Sequence, residues 1–330
     1  NARWARQSMS TISVPNKVIG RFAPSPTGRM HAGNIFAALM AWLIAKSQGG
    51  EIVLRIEDLD RARSKRCYID QVQNDFELLG LTWDRGPFYQ HDRDGAYEVA
   101  YELLKEARLV YPCFCTRADL HAASAPHRGE KLVYPGTCRF LSEFERDRKT
   151  RELLSAGDPT RIAPAMRLCV DDRVVSIDDV LQGRYEQRLD RDCGDFLIRR
   201  TDGAFAYQLA VVVDDAAQGV NSVVRGIDLL CSSPQQAYLQ DLLGLPRVRY
   251  AHVPLFVDES GRRLAKRSKS AALDELLSRF GSPAGVIGHI AFTAGLIECD
   301  EPVMPDELLD AFSITPARSL LEGRIGIPFS

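Results

Sequence analysis

Three groups of residues in this 330-residue chain have the types and the spacing to do chemistry. The first lies in G-R-F-A-P-S-P-T-G-R-M-H-A-G-N (20–34), which reads as a strand end, a Pro/Gly turn and a helix start. A helix N-terminus offers free backbone N–H groups and the positive end of the macrodipole, so it attracts phosphate. His31 adds a donor there, Asn34 can donate a further hydrogen bond, and Gly33 lets a nucleotide ring come close because it has no side chain. Pro24 and Pro26 stiffen the turn that aims Arg21 and Ser25. The second group is L-A-K-R-S-K-S (264–270), where Lys266 and Lys269 can bring ammonium groups, and Ser268 and Ser270 hydroxyls, to phosphate oxygens as charge develops. The third is Y-P-C-F-C-T (111–116) with Y-P-G-T-C-R (134–139). Cys113, Cys115 and Cys138 suit a structural zinc site, which needs a fourth ligand, and His121, His127 and Tyr134 are all in reach along the chain.

These residues need a scaffold that faces them inward. Apolar spacing predicts a buried strand over 17–22, a helix carrying Ile35, Ala38, Leu39, Trp42 and Leu43 and ended by Gly49-Gly50, and a strand over 52–56. A further helix follows with Ile69, Val72, Phe76 and Leu79 on one stripe, stopped at Gly80, and another covers 93–107. This alternation implies right-handed crossovers and a parallel sheet, hence an α/β fold. The segment 110–187 is irregular and reads as an insertion. Parallel strands are expected again at 196–198, 207–213 and 223–224, with Val211-Val212-Val213 as a strand covered on both faces. Ser233-Pro234 should open a helix reaching Leu243, a strand is expected over 252–257, and helices over 271–280, 283–296 and 305–312.

Two more segments bear on ligand chemistry. Glu57, in R-I-E-D-L-D (55–60), sits at the C-terminal end of a parallel strand, where open α/β sheets bind ligands, and could take an ammonium group. Tyr207 and Arg225, expected on or beside adjacent strands, offer a phenol and a planar fork that pairs with carboxylate. With Arg21 they make a pocket suited to an acidic side chain.

Together these segments resemble the class I aminoacyl-tRNA synthetases. H-A-G-N (31–34) and K-R-S-K-S (266–270) stand where that family has His-Ile-Gly-His and Lys-Met-Ser-Lys-Ser, with Asn34 and Arg267 as departures. R-F-A-P-S-P-T-G and R-I-E-D-L-D are similar to the glutamyl and glutaminyl types. Y-Q-L-A-V (207–211), followed by V-V-D-D, differs from the Tyr-His-x-Ala-Asn of ordinary glutamyl enzymes and resembles the glutamyl-queuosine tRNA(Asp) synthetase family, a shortened paralogue without anticodon-binding domains. The residues after 270 are too few for such a domain.

The resemblance implies a Rossmann-type catalytic domain in two halves (17–109 and 188–250). It also implies a zinc-binding, acceptor-type insertion (110–187) and a mobile-loop and helical stem-contact-like region (251–330), with 1–16 as an extension or tag. It implies ATP-dependent formation of glutamyl-adenylate without tRNA, with Mg²⁺ accompanying ATP, and transfer of glutamate to queuosine in tRNA(Asp). The implied glutamate contacts are Arg21, Ser25, Glu57, Tyr207 and Arg225. The implied ATP contacts are His31, Gly33, Asn34, Ser268 and Lys269, with His31, Lys266 and Lys269 as catalytic groups. The resemblance points to Tyr134 as the fourth zinc ligand beside Cys113, Cys115 and Cys138. A carboxylate is already ionised at pH 7, so activation needs no general base and no His/Asp or Cys/His dyad is expected. The rival readings are a truncated glutamyl-tRNA synthetase charging a 3′ end, a small nucleotidyltransferase such as a pantothenate synthetase, and a non-catalytic tRNA-binding relative.

Composition sets outer limits. With 45% hydrophobic and 26% charged residues the chain reads as globular. It has no run near the roughly 20 apolar residues of a membrane helix and no signal-peptide core at N-A-R-W-A-R-Q-S. A net charge of −2 gives no bulk attraction for nucleic acid. RNA contact then falls to patches: Arg139, Arg146, Arg148, Lys149 and Arg151, or Arg262, Arg263, Lys266, Arg267 and Lys269. Eight cysteines without a leader fit free thiols in a reducing cytoplasm. A monomer is expected.

Overall fold

In the computed structural model the described residues are 17–60, 63–116, 118–120, 133–264 and 272–329. The chain opens with strand β1 (Ile19–Phe22), helix α1 (Ala32–Lys46), β2 (Glu51–Ile56), α2 (Arg66–Leu78), β3 (Arg85–Tyr89) and α3 (Asp94–Glu106). β1, β2 and β3 pair in parallel, as the alternating pattern demands. α1 is buried nearly all round, with Ile35, Phe36, Leu39, Met40, Trp42, Leu43 and Ile44 inside. A helix apolar on every face must be covered on every face, and the C-terminal helices described below supply that cover.

The middle of the chain is more ordered than its sequence suggests. β4 (Val110–Cys113), β5 (Ala165–Leu168) and β8 (Phe196–Arg199) form an antiparallel sheet, so the strand expected at 196–198 exists but does not extend the parallel one. Helix α4 (Glu143–Ser155) carries a Ser142/Glu145 capping box and buries none of its residues. β6 (Val174–Asp179) and β7 (Gly183–Arg188) form a hairpin, and α5 (Leu189–Asp192) follows. β6 also pairs in parallel with β10, so part of the segment read as an insertion joins the second main sheet.

The expected strand at 207–213 is a helix, α6 (Tyr207–Gln218). Ala206 is extended at its start, and Gly219 at φ 71° closes its end, where Val220 N–H donates to Asp215 O at 2.8 Å. Leu209, Ala210, Val211 and Val212 are buried against a large core. That packing outweighs the strand preference of three consecutive valines. After it come β9 (Ser222–Gly226), α7 (Ser233–Leu243), β10 (Arg249–Val253) and β11 (Leu255–Val257). Next are α8 (Leu273–Phe280), α9 (Pro283–Thr293), α10 (Pro305–Leu309) and α11 (Ile314–Leu321), with β12 (Gly326–Pro328) pairing β11.

The second sheet runs β7-β6-β10-β9, with β9 and β10 parallel. Asn221 stitches it to the first. Its backbone N–H donates to Ile19 O at 3.0 Å, and its side-chain oxygen accepts from Ile19 N–H at 2.9 Å. The C-terminal ends of β1 and β9 thereby lie side by side above the start of α1. Among the described residues no helix is long and apolar enough to cross a membrane.

Candidate active site and cysteine cluster

A cleft of about 480 Å³ opens at those strand ends. Of the residues singled out from sequence, Arg21, Ser25, Glu57, Tyr207 and Arg225 line it, and so do His31, Gly33 and Asn34 at the start of α1. His31 is the extended residue that caps α1, and its carbonyl accepts the Asn34 N–H at 2.8 Å. A Cβ on Gly33 would meet only the His31 ring, at 3.5 Å. Among the described residues nothing therefore requires glycine there, whereas a group seated on the helix start would.

Glu57 is fixed twice: its N–H donates to Pro24 O at 3.0 Å, and its carboxylate accepts from Arg55 at 3.2 Å. Arg55 is fully buried and also donates to Asp215 and Gln218, at 2.7 and 2.9 Å. Burial alone would make this guanidinium more acidic, but the carboxylates of Asp215, Glu57 and Asp214 outweigh it and raise its affinity for the proton. Arg21 Nε lies 3.0 Å from Asp215, close enough for an ion pair though misaligned for a hydrogen bond. Asp214 in turn takes bonds from Tyr97, Gln90 and Arg93 at 2.7, 3.0 and 2.6 Å. The cleft floor thus rests on a buried ionic network, in which removing one partner strands the rest.

Tyr207 and Arg225 do meet, but from the first turn of a helix and a strand rather than from adjacent strands. Arg225 Nη1–H donates to Tyr207 Oη at 3.2 Å. Arg225 Nη2–H donates to Ser233 Oγ at 2.7 Å and to Leu229 O at 3.3 Å, and its Nε–H donates to His252 Nε2 at 3.0 Å. His252 is fully buried and contacts Asp179 through Nδ1 at 2.5 Å. A buried His/Asp pair thus stands behind Arg225. Its members are 73 residues apart, and His252 stood only as one letter in a strand, so no local pattern announced it.

Lys266, Ser268 and Lys269 lie outside the described residues, as do His121 and His127. The flanks of the second motif are nonetheless at the cleft. Arg263 and Leu264 line it, Arg263 pairing with Asp228, another lining residue. On the other side Ala272 bridges to His31, and Leu273 N–H donates to Met30 O at 2.9 Å. Arg29 spans Asp75 at 3.4 Å and Asp274 at 2.8 Å. Burial pushes the Asp75 carboxyl up despite Arg29 and the Met30 N–H.

The sulfurs of Cys113, Cys115 and Cys138 lie within 4.8 Å of one another. Tyr134 Oη joins them, 3.4 Å from Cys113 Sγ and 4.0 Å from Cys115 Sγ, and accepts the Cys138 N–H at 2.9 Å. Cys115 and Cys138 sulfurs are 3.6 Å apart, near the roughly 3.8 Å edge of a tetrahedron with Zn–S bonds of about 2.3 Å. Three thiols and a phenol converging on one point fit zinc. The cluster already favours a thiolate: hydrogen bonds from Cys138, Tyr134 and Arg167 bring Cys113 down to about 4, while burial pushes Cys115 and Tyr134 up. Gly194, at φ 65°, makes the approach possible. Its backbone bridges Tyr134, and a Cβ there would lie 2.6 Å from Tyr134 O.

The fold and the cleft are those of a class I aminoacyl-tRNA synthetase. The family model for tRNA synthetases class I (E and Q), catalytic domain, matches residues 17–287. The chain is 43% identical over 307 residues to the glutamyl-Q tRNA(Asp) synthetase of Symbiobacterium thermophilum, covering 89% of this chain and 92% of that one. It is 46% identical over 300 residues to the protein of the same name from Nocardia farcinica, covering 91% and 90%. A crystal structure of a glutamate tRNA ligase from Elizabethkingia meningosepticum matches in fold with a TM-score of 0.75 at 24% identity, over 95% of this chain and 67% of that one. The chain belongs to the class I (E and Q) tRNA synthetase family and, within it, groups with the glutamyl-Q tRNA(Asp) synthetases. It is a ligase of the glutamate-activating kind, a class that works on ATP with Mg²⁺.

Proposed function

We propose that the protein joins L-glutamate to AMP without tRNA and then passes the glutamyl group to queuosine in tRNA(Asp). The observation that carries the reading is the set of charges in the cleft: Arg225 and Tyr207 3.2 Å apart, with Arg21 and Glu57 on the same wall. Arg225, Tyr207 and Arg21 suit the side-chain carboxylate, Glu57 the ammonium group, and Ser25 supplies a further polar contact from the turn.

In the first step the glutamate α-carboxylate attacks the α-phosphorus of ATP, the bond to the bridging oxygen breaks, and pyrophosphate leaves with that electron pair. No proton moves. His31, the N–H groups at the start of α1, the Asn34 amide and the room left by Gly33 receive the nucleotide. Ser268, Lys266 and Lys269 are assigned to the phosphates by their motif. Mg²⁺ accompanies ATP and screens its charge. In the second step a queuosine hydroxyl attacks the glutamyl carbonyl, AMP leaves with the electron pair of the broken acyl–oxygen bond, and the hydroxyl proton passes to the leaving phosphate; the acceptor rests on the relatives' name and on Gln208 in place of the usual His. Zinc on Cys113, Cys115, Cys138 and Tyr134 would staple the segment that carries them.

Glutamate-dependent ATP–pyrophosphate exchange tests the first step, and full exchange without RNA is expected. Strict dependence on added tRNA would favour a truncated synthetase charging a 3′ end, and no exchange under any condition would sink the catalytic reading. Labelling tRNA(Asp) with and without queuosine tests the second step, since equal labelling rejects the modified base as acceptor.

A further inference from the structure

Arg225 differs from the other buried arginines of the cleft. Arg55 and Arg21 both face Asp215, so their charge is already compensated. Among the described residues no carboxylate lies within ion-pair distance of Arg225. It is held by neutral acceptors: the His252 ring, Ser233 Oγ, Leu229 O and Tyr207 Oη. A direct carboxylate partner would compete with an acidic substrate, whereas neutral acceptors orient the fork and leave its charge available.

We infer that Asp179 and His252 are positioning residues that set the direction of Arg225 and so the selectivity for a carboxylate side chain. Arg225 Nε–H donates to His252 Nε2, so Nε2 must carry the lone pair and the ring proton must sit on Nδ1, facing Asp179. Asp179 cannot turn away. Its Oδ1 accepts the N–H groups of Leu181, Gln182 and His252 at 3.0, 2.9 and 3.2 Å, leaving Oδ2 aimed at the ring. Neither side chain is exposed, and neither lines the cleft. Burial, with Arg225 adding to it, holds the imidazole below its ordinary range against the pull of Asp179, which agrees with a neutral ring. The Asp179 carboxylate thus balances the guanidinium at one remove, through an imidazole.

The inference rests on the reading that Arg225 binds the glutamate side chain, and the test separates the two. Asp179→Asn presents an amide N–H to Nδ1, moves the ring proton to Nε2 and sets donor against donor at Arg225. His252→Gln keeps an acceptor near Nε2 without the tautomer. Pyrophosphate exchange is measured for both variants and for Arg225→Ala, with unfolding curves confirming that each is folded. Asp179→Asn is expected to raise the KM for glutamate by about tenfold or more, the size of one lost charge-assisted bond. Its kcat and its KM for ATP should stay within about twofold, and His252→Gln should fall between it and the parent. If His252→Gln and Asp179→Asn are folded and keep the parental KM while Arg225→Ala raises it, the relay is rejected. If Arg225→Ala also keeps the parental KM, the reading of the pocket fails first. Should Asp179→Asn not fold, His252→Gln decides alone, an unchanged KM rejecting the relay.

Discussion

The wall around Arg225 and the cluster around Cys113 both keep polar groups out of water, and they do so by opposite means. The Arg225 wall is set in a core that includes Leu209, Ala210, Val223, Tyr238 and Tyr250, and Arg225, His252 and Asp179 in it each have fixed protein partners. Among the described residues the cysteine cluster has a small core of its own, Tyr111, Cys113, Tyr134 and Cys138, with Phe114, Leu120 and Leu141 partly buried against it. Its neighbour α4 buries nothing. So small an apolar set cannot offset the entropy of ordering a segment of this length, and a metal is the economical staple. The first site is preorganised by folding, and the second would be completed by a metal.

The largest effect should come from breaking the first region. Arg225→Ala is expected to lower kcat/KM for glutamate in pyrophosphate exchange by about a hundredfold or more, since truncating a buried hydrogen-bonded charge costs about 2–5 kcal/mol. Retained activity would show that the wall does not carry recognition. Next comes the second region: Cys113→Ser, or verified zinc depletion, should lower the thermal midpoint by several degrees and abolish transfer to RNA. The same protein should keep RNA-independent exchange near the parental rate, and an unchanged melting curve would count against a structural metal. Tyr134→Phe removes the oxygen that accepts the buried Cys138 N–H, so a loss of about 1–3 kcal/mol in unfolding free energy is expected, together with weaker zinc retention. A variant that binds zinc as tightly as the parent would leave the fourth ligand elsewhere.

The smallest effect is in pH. His252 is held below its ordinary range by burial, facing Asp179, Arg225 and the more distant Asp228. The unfolded chain therefore takes up the proton first as pH falls. The stability of the neutral ring is complete above about pH 6.5 and is lost as pH falls from there towards the folded value, by at most about 1.4 kcal/mol per pH unit. The stability difference between the parent and His252→Gln should shrink between about pH 7.5 and about pH 5.5. A constant difference would show that the ring is not neutral in the fold.

The cleft was largely legible because its residues sit in short contiguous segments whose order along the chain mirrors their meeting in space. Arg21, Ser25 and His31 share one turn, and Glu57 follows one strand later. What escaped were relations between distant segments. Val211-Val212-Val213 reads as a strand by its residue types, and only the surrounding core and the left-handed Gly219 make it a helix. Asp179 lay in a segment read as an insertion, yet β6 brings it beside β10 and His252. Side-chain pairing across a sheet leaves no periodic trace in a sequence, whereas a Pro/Gly turn before a helix start does.

The segment 265–271 is seven residues long and tied to the cleft at both ends, through Leu264 to Phe256 and through Ala272 and Leu273 to the turn that holds Met30 and His31. Even a fully extended tether of that length spans no more than about 25 Å. The bonds that hold Leu264 to Phe256 and Leu273 to Met30 therefore keep the second motif within that reach of His31 by covalent connectivity alone.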